Sequence, residues 1–71
     1  MTHEEANLIS VGDKLYEVKD TSHAWEVYRI FKSTREDRKE EYRIWIRYNN
    51  QRRRITKHNH TKYEIDIRIE L

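Results

Sequence analysis

Arginine and tryptophan recur at every second position in two neighbouring segments of the chain, 41–49 and 52–57. Arg43, Trp45 and Arg47 stand two residues apart in the first segment, and Arg52 and Arg54 stand two apart in the second. Residues two apart share one face of a β-strand, so we expect these five side chains on the outside of a sheet. Arginine pairs with phosphate and an indole ring stacks on a base, so this face predicts nucleic-acid binding.

Two other interpretations of the same face remain open. Arginine and tryptophan are favoured anchors of protein interfaces, so an acidic protein surface is a second candidate partner. The chain would then be a protein-protein interaction module or a small regulator or inhibitor, of the kind bacteriophages use, that docks on a larger protein. Alternatively the face is simply solvated, with Arg43 and Arg47 paired to Glu64 and Asp66 and with Trp45 covering a minor core.

The charge is unevenly distributed along the chain, although its net value is only +2. Residues 29–57 hold eleven basic and four acidic residues, whereas residues 1–28 hold two basic and six acidic ones. Such a basic block favours an anionic partner. A nucleic-acid-binding protein should also keep its acidic residues away from the basic face, and those concerned are Glu4, Glu5, Asp13, Asp20 and Glu26.

The other polar and aromatic residues predict neither catalysis nor a metal centre. His58 and His60 would share one side of an extended segment, but zinc needs further ligands and the chain has no cysteine. No serine has a base and an acid at a recognisable spacing, and no glycine-rich phosphate loop is present. Aromatic residues that would suit a cage for a methylated side chain sit at alternating positions typical of a core. We therefore predict no enzyme, no metal and no cofactor.

Five segments have the alternation of apolar and polar residues that predicts β-strands. In segment 24–32 the apolar side changes near Arg29, which indicates a β-bulge. Asn49 and Asn50 can adopt the left-handed conformation that a tight hairpin needs, and so can Asn59 in the next connection. Thr2 with Glu5 is expected to cap a short helix that ends at Leu8. Residues 20–23 are expected to form a turn, and residues 33–40 a loop or a short helical turn. The five predicted strands are segments 14–19, 24–32, 41–49, 52–57 and 63–71.

The short connections predict an antiparallel meander that curls into a small barrel and so hides its edges. Residues 11–18, with the sequence VGDKLYEV, resemble the entry strand of SH3-like barrels, the group that includes Tudor and KOW modules. We therefore expect an all-β, five-stranded antiparallel small barrel over residues 11–71, with residues 1–10 as an N-terminal extension. The OB-fold is the competing architecture, but it needs a helix that the link between segments 41–49 and 52–57 cannot hold.

The size and composition of the chain set the remaining expectations. It has 71 residues, enough for one domain, and its apolar content of 35% is low. Because that content limits the core, a homodimer would be in keeping with the size. The lack of cysteine, the polar N-terminus and the absence of an apolar stretch of ~18 residues predict a soluble, cytoplasmic protein with no membrane contact.

Overall fold

The computed structural model describes residues 1–65 and contains a single five-stranded antiparallel sheet. The strands are arranged in the order β4-β3-β2-β1-β5. The predicted all-β fold, the strand count and the antiparallel pairing are confirmed; the part of the last predicted strand over 66–71 lies outside the described residues. The elements are α1 (His3–Leu8), β1 (Lys14–Glu17), β2 (Asp20–Lys32), β3 (Tyr42–Tyr48), β4 (Gln51–Ile55), a 3-10 turn (His60–Lys62) and β5 (Tyr63–Ile65).

Strands β1 to β4 form a meander, and β5 returns to pair with β1. Strands β4 and β5 are the two edges of the sheet, and within residues 1–65 no strand pairing joins them. The described part of the sheet is therefore open between these edges. Sequential strands from β1 to β4 pair with one another in antiparallel orientation, as the short connections in the sequence predict.

The apolar side chains of β3 illustrate how alternation builds the core. Tyr42, Ile44 and Ile46 are buried, whereas Arg43 and Arg47 at alternate positions are exposed. We call the face that carries the buried side chains the inner face and the opposite one the outer face. The inner face and the N-terminal segment together form one hydrophobic cluster: Ala6, Ile9, Leu15, Trp25, Val27, Tyr42, Ile44, Ile46, Ile55 and Tyr63. Residues 1–10, expected as an extension, thus contribute two members of the core.

A β-bulge in β2 changes which side chains face the core. Val27 lies opposite Ile46 and Arg29 lies opposite Trp45, so Tyr28 is the extra residue of the bulge. Beyond it, Ile30 packs against the core, whereas Phe31 points outward and is 53% exposed. The change of side predicted near Arg29 is therefore confirmed.

Helix α1 packs on the inner face and is held at both ends. The side chain of Thr2 accepts a hydrogen bond from the Glu5 amide, and Glu5 accepts one from the Thr2 amide, which confirms the predicted cap. At the other end, the Lys32 ammonium donates to the carbonyl oxygens of Asn7 and Ile9. A lysine suits this position because helix C-terminal carbonyls lack partners and carry partial negative charge.

The left-handed turn conformation expected from the sequence is found at Asn49 but not at Asn50 or Asn59. Asn49 has a φ of +52°, as the tight β3–β4 hairpin requires. The left-handed prediction for Asn59 is wrong, since its φ is −133°. Its side chain forms the turn instead, by accepting from the Thr56 amide at 2.7 Å and donating to the Arg54 carbonyl at 3.0 Å.

The β1–β2 connection is shorter than the sequence predicts. Glu17 pairs with Asp20, so the turn consists of residues 18 and 19 and the predicted turn at 20–23 is wrong. The Asp20 carboxylate still accepts a local hydrogen bond from the Ser22 amide at 3.1 Å, next to the register shift between Leu15 and Glu17. Residues 33–41 fold as consecutive turns rather than as a helix, with the Arg38 amide donating to the Arg35 carbonyl and the Glu41 amide donating to the Arg38 carbonyl.

Candidate functional site

The outer face of strands β2 to β4 gathers all five residues that the sequence predicts as a binding site. On β3, Trp45 lies opposite Arg54 of β4 and Arg47 lies opposite Arg52. Partners in antiparallel register share a face, so these side chains stand beside Arg43 on the outer surface. Strand β2 adds three further residues to this surface. We call the complete set the arginine face: Arg29, Arg43, Arg47, Arg52, Arg54, Tyr28, Phe31 and Trp45.

The guanidinium groups of the arginine face lie over its aromatic rings. The Arg29 guanidinium lies 4.8 Å from the centre of the Trp45 ring, and that of Arg43 lies 5.8 Å from Phe31. The guanidinium groups of Arg47 and Arg52 lie 5.5 and 5.7 Å from the Tyr28 ring. These distances fall within the range of cation–π attraction, about 6 Å. Charge and ring planes therefore alternate across the surface.

Glu26 brings a negative charge onto this side of the sheet. Its carboxylate accepts two hydrogen bonds from Arg47, at 2.9 and 2.7 Å, and one from Lys14 at 3.3 Å. The hydrogen bonds from Arg47 and then Lys14 hold the pKa of Glu26 below its ordinary value. Glu26 therefore lies on the basic face, where it pairs with Arg47 across the β2–β3 ladder. A nucleic-acid-binding protein is expected to keep Glu26 away from this face, so its position favours the alternative of a protein partner.

The other arginines of this face have no carboxylate partner within residues 1–65. Arg29, Arg43, Arg52 and Arg54 make none of the ion pairs found in this part of the chain. Glu64, proposed as a partner in the solvated interpretation, lies opposite Tyr16 at the far side of the sheet. Asp66, the other partner in that interpretation, lies outside the described residues. Among residues 1–65 these four cations lack a neutralising carboxylate and repel one another, which an approaching polyanion would relieve.

The sequence prediction missed Tyr28, Arg29 and Phe31. Strict alternation places Phe31 on the side of Trp25 and Val27, which is the core side. The bulge at Tyr28 moves both Arg29 and Phe31 to the outer face. The change of side near Arg29 was the one available signal, because it implies that residues beyond it reverse their orientation.

Arg53 projects to the inner face, opposite to its two neighbours, as three consecutive arginines on a strand must. Its guanidinium lies 4.4 Å from the centre of the Trp25 ring and forms an ion pair with Glu17. The hydrogen bond with Tyr63, more than the pairing with Glu17, raises the pKa of Arg53. Arg53 therefore links β4 to β1 and β5 across the core and does not belong to the arginine face.

A cleft of about 240 Å³ opens at one end of the arginine face. It is bounded by the outer ends of β2 and β3, by the end of the 33–41 loop and by the segment that follows β4. Two members of the arginine face line it, together with two carboxylates and further polar side chains. The lining residues are Phe31, Glu40, Glu41, Tyr42, Arg43, Thr56, Lys57 and His58.

Two of the histidines, His3 and His60, pack together in the fold, whereas His58 lies apart from them. The His3 and His60 rings lie 4.2 Å apart, with His3 Nδ1 within 2.9 Å of the Tyr42 hydroxyl and His60 Nδ1 within 2.7 Å of the Met1 carbonyl. His58 lines the cleft. Within residues 1–65 no three histidine, aspartate or glutamate side chains come together in a way that would hold a metal ion.

Aromatic residues considered for a cage are divided between the core and the surface. Trp25 and Tyr63 are buried, at 2% and 5% exposure, so neither offers a ring to a ligand. Tyr28 belongs to the arginine face, and Tyr48 packs on His23 with ring centres 4.4 Å apart. The arginine face is thus the surface on which exposed rings and cations occur together.

Over residues 1–65, no helix has the length and apolar content needed to cross a membrane. Comparison of the chain with protein-family models, with curated proteins and with solved structures finds no match.

Proposed function

We propose that this protein is a small, non-enzymatic binding module that binds nucleic acid through its arginine face. The observation that carries the proposal is the set of four arginines, Arg29, Arg43, Arg52 and Arg54, that lack a carboxylate partner in the described chain. The first three lie over the half-buried ring of Trp45, the exposed ring of Phe31 and the half-buried ring of Tyr28. Such a surface matches the two repeating features of a nucleic acid, its phosphates and its bases.

Each type of side chain has a separate role in this proposal. The arginines neutralise phosphates and release the counterions bound to them, which gives affinity without sequence preference. Trp45 is half-buried and has the Arg29 guanidinium over its ring, so a base would stack on that guanidinium or take its place on the indole. Stacking on an aromatic ring contributes about 1–3 kcal/mol per base. Cation–π contacts hold the arginines over the rings in advance, which reduces the entropy lost on binding.

The architecture and location form part of the same proposal. A meander whose fifth strand returns to its first supports the resemblance to SH3-like barrels, and we assign the domain to that class. The absence of cysteine is in keeping with a reducing compartment, and we place the protein in the cytoplasm.

The test is titration of labelled single-stranded and duplex oligonucleotides at about 50 and about 200 mM salt, followed by fluorescence anisotropy and tryptophan quenching. We expect binding that weakens with salt and quenches Trp45. The Trp45→Ala variant should lose most of the affinity, and Arg52→Glu combined with Arg54→Glu should abolish it. Absence of binding at the lower salt concentration, or full binding by the double glutamate variant, would refute the proposal and favour an acidic protein as the partner.

A further inference from the structure

We propose that the cleft beside Phe31 and Arg43 receives one unpaired base of a single-stranded nucleic acid and prefers guanine. This inference rests on the proposed function, because the cleft is the end of the arginine face. A strand whose phosphates follow the arginines would bring its next base to the cleft entrance. The inference adds a substrate class, namely single strands, and a base preference. The arginine face by itself would recognise only phosphate charge and the stacking surface of the bases.

The size of the cleft suits one ring system. Its volume of about 240 Å³ lies below the ~300–1,000 Å³ of pockets that enclose a drug-sized ligand. Phe31 is 53% exposed and forms part of the wall, so a planar base entering the cleft would stack on its ring.

The charges in the cleft distinguish a base from a phosphate. Glu40 and Glu41 line it together with Arg43 and Lys57, so a base can meet the carboxylates while the phosphate beside it stays on the two cations. Glu40 makes no ion pair or hydrogen bond within residues 1–65, whereas Glu41 already accepts from Arg38 at 2.7 Å through Oε1. The free carboxylate oxygens are acceptors that need N–H donors, and base edges supply them.

Guanine matches these acceptors better than the other bases. Its N1–H and its N2 amino group are adjacent donors, so they can donate together to the two oxygens of one carboxylate. Cytosine and adenine present a single amino group, and thymine and uracil present one N–H between two carbonyl oxygens that a carboxylate repels. In a duplex this edge of guanine is already paired, so recognition requires an unpaired base.

The experiment compares oligothymidines of equal length that carry no substitution or one central dG, dC or dA. Length and charge are constant, so differences in affinity report the base alone. We expect the dG oligonucleotide to bind about tenfold more tightly than the unsubstituted one, the ratio that about 1.4 kcal/mol of discrimination produces. Pairing it with a complementary strand should remove the advantage.

The variant Glu40→Gln with Glu41→Gln separates base recognition from charge. Removing two negative charges should strengthen binding of every oligonucleotide, including unsubstituted oligothymidine, which also shows that the variant is folded. The ratio between the dG and the unsubstituted oligonucleotide should nevertheless fall towards one. Phe31→Ala should weaken binding of the dG oligonucleotide more than that of oligothymidine.

The outcomes distinguish this inference from the proposed function. If no oligonucleotide binds, the proposed function itself fails. If all four single strands bind equally, or if the double glutamine variant keeps the preference for dG, the base site is refuted and nucleic-acid binding by the arginine face still stands. Equal affinity for the dG single strand and for its duplex would refute the site as well.

Discussion

Replacing Arg52 and Arg54 by glutamine should halve the salt dependence of nucleic-acid binding. Four arginines of the arginine face have no carboxylate partner in the described chain, so we assign one phosphate to each. For a single strand, each neutralised phosphate adds about −0.7 to the slope of log K against log salt concentration, which gives about −2.8 for the native protein and about −1.4 for the variant. Raising the salt from about 50 to about 200 mM would then weaken native binding roughly 50-fold and variant binding roughly 7-fold.

The assay is anisotropy titration of one labelled oligothymidine at several salt concentrations. Arg52→Gln, Arg54→Gln and Arg53→Gln form a matched series, because each removes one positive charge from the same strand. The first two should each reduce the slope by about 0.7. Arg53→Gln should leave it unchanged while lowering the thermal midpoint, since Arg53 contacts Trp25 and Glu17 on the inner face. A native slope in the double variant, or an equal loss of slope in Arg53→Gln, would refute the assignment of phosphates to the outer face.

Three further predictions concern the ion pair on the face, the core and the hairpin. Glu26 has a lowered pKa in the folded state, so its contribution to stability is present above its ordinary value of 4.5 and is lost as the pH falls below it. Glu26→Gln should remove this contribution to stability from an acid-unfolding curve. Because it also frees Arg47, it should steepen the slope of log K against log salt concentration by about 0.7. An unchanged slope would show that Arg47 meets no phosphate. Ile46→Ala should lower the free energy of unfolding in urea by about 2–5 kcal/mol, because Ile46 is fully buried, and a loss below that range would mean that the core collapses around the cavity. Asn49→Ala should cost about 1–2 kcal/mol, because alanine has a β-carbon but lacks the side-chain amide that lets asparagine tolerate a φ of +52°. Asn49→Gly should cost much less, because glycine has no β-carbon, and equal effects would contradict that explanation.

The sequence predicted the parts of the fold that depend on local alternation. In β3, large apolar residues occupy every second position from Tyr42 to Tyr48 with arginine on both sides of Trp45 between them, so the outward positions of Arg43, Trp45 and Arg47 follow from period two. The capped helix could also be predicted, because the Thr2–Glu5 capping box is a local interaction. The part of the candidate site that lies on β3 and β4 was therefore available from the residues alone.

The rest of the site depends on pairing between distant segments. The sequence indicates a change of side in β2 but does not specify that Tyr28 is the extra residue, because the partner strand sets that register. The outer-face positions of Arg29 and Phe31 can consequently be assigned only when the pairing of β2 with β3 is known. The cleft is formed by segments far apart in sequence, including Phe31, Glu40 and Lys57, so no local motif predicts it.

The arginines of β4 also have a consequence for how copies of this protein meet. Within residues 1–65, strand β4 is an edge of the sheet, and the unpaired backbone groups of an edge strand are the usual starting point for strand-to-strand aggregation. Antiparallel pairing of two β4 strands would bring two runs of Arg52, Arg53 and Arg54 side by side, and their mutual repulsion opposes that contact. The residues that we assign to phosphate binding would thus also oppose pairing of two copies at this edge. Phosphates that neutralise these arginines would remove the repulsion. Several copies bound along one long polyanion could then pair with one another through β4.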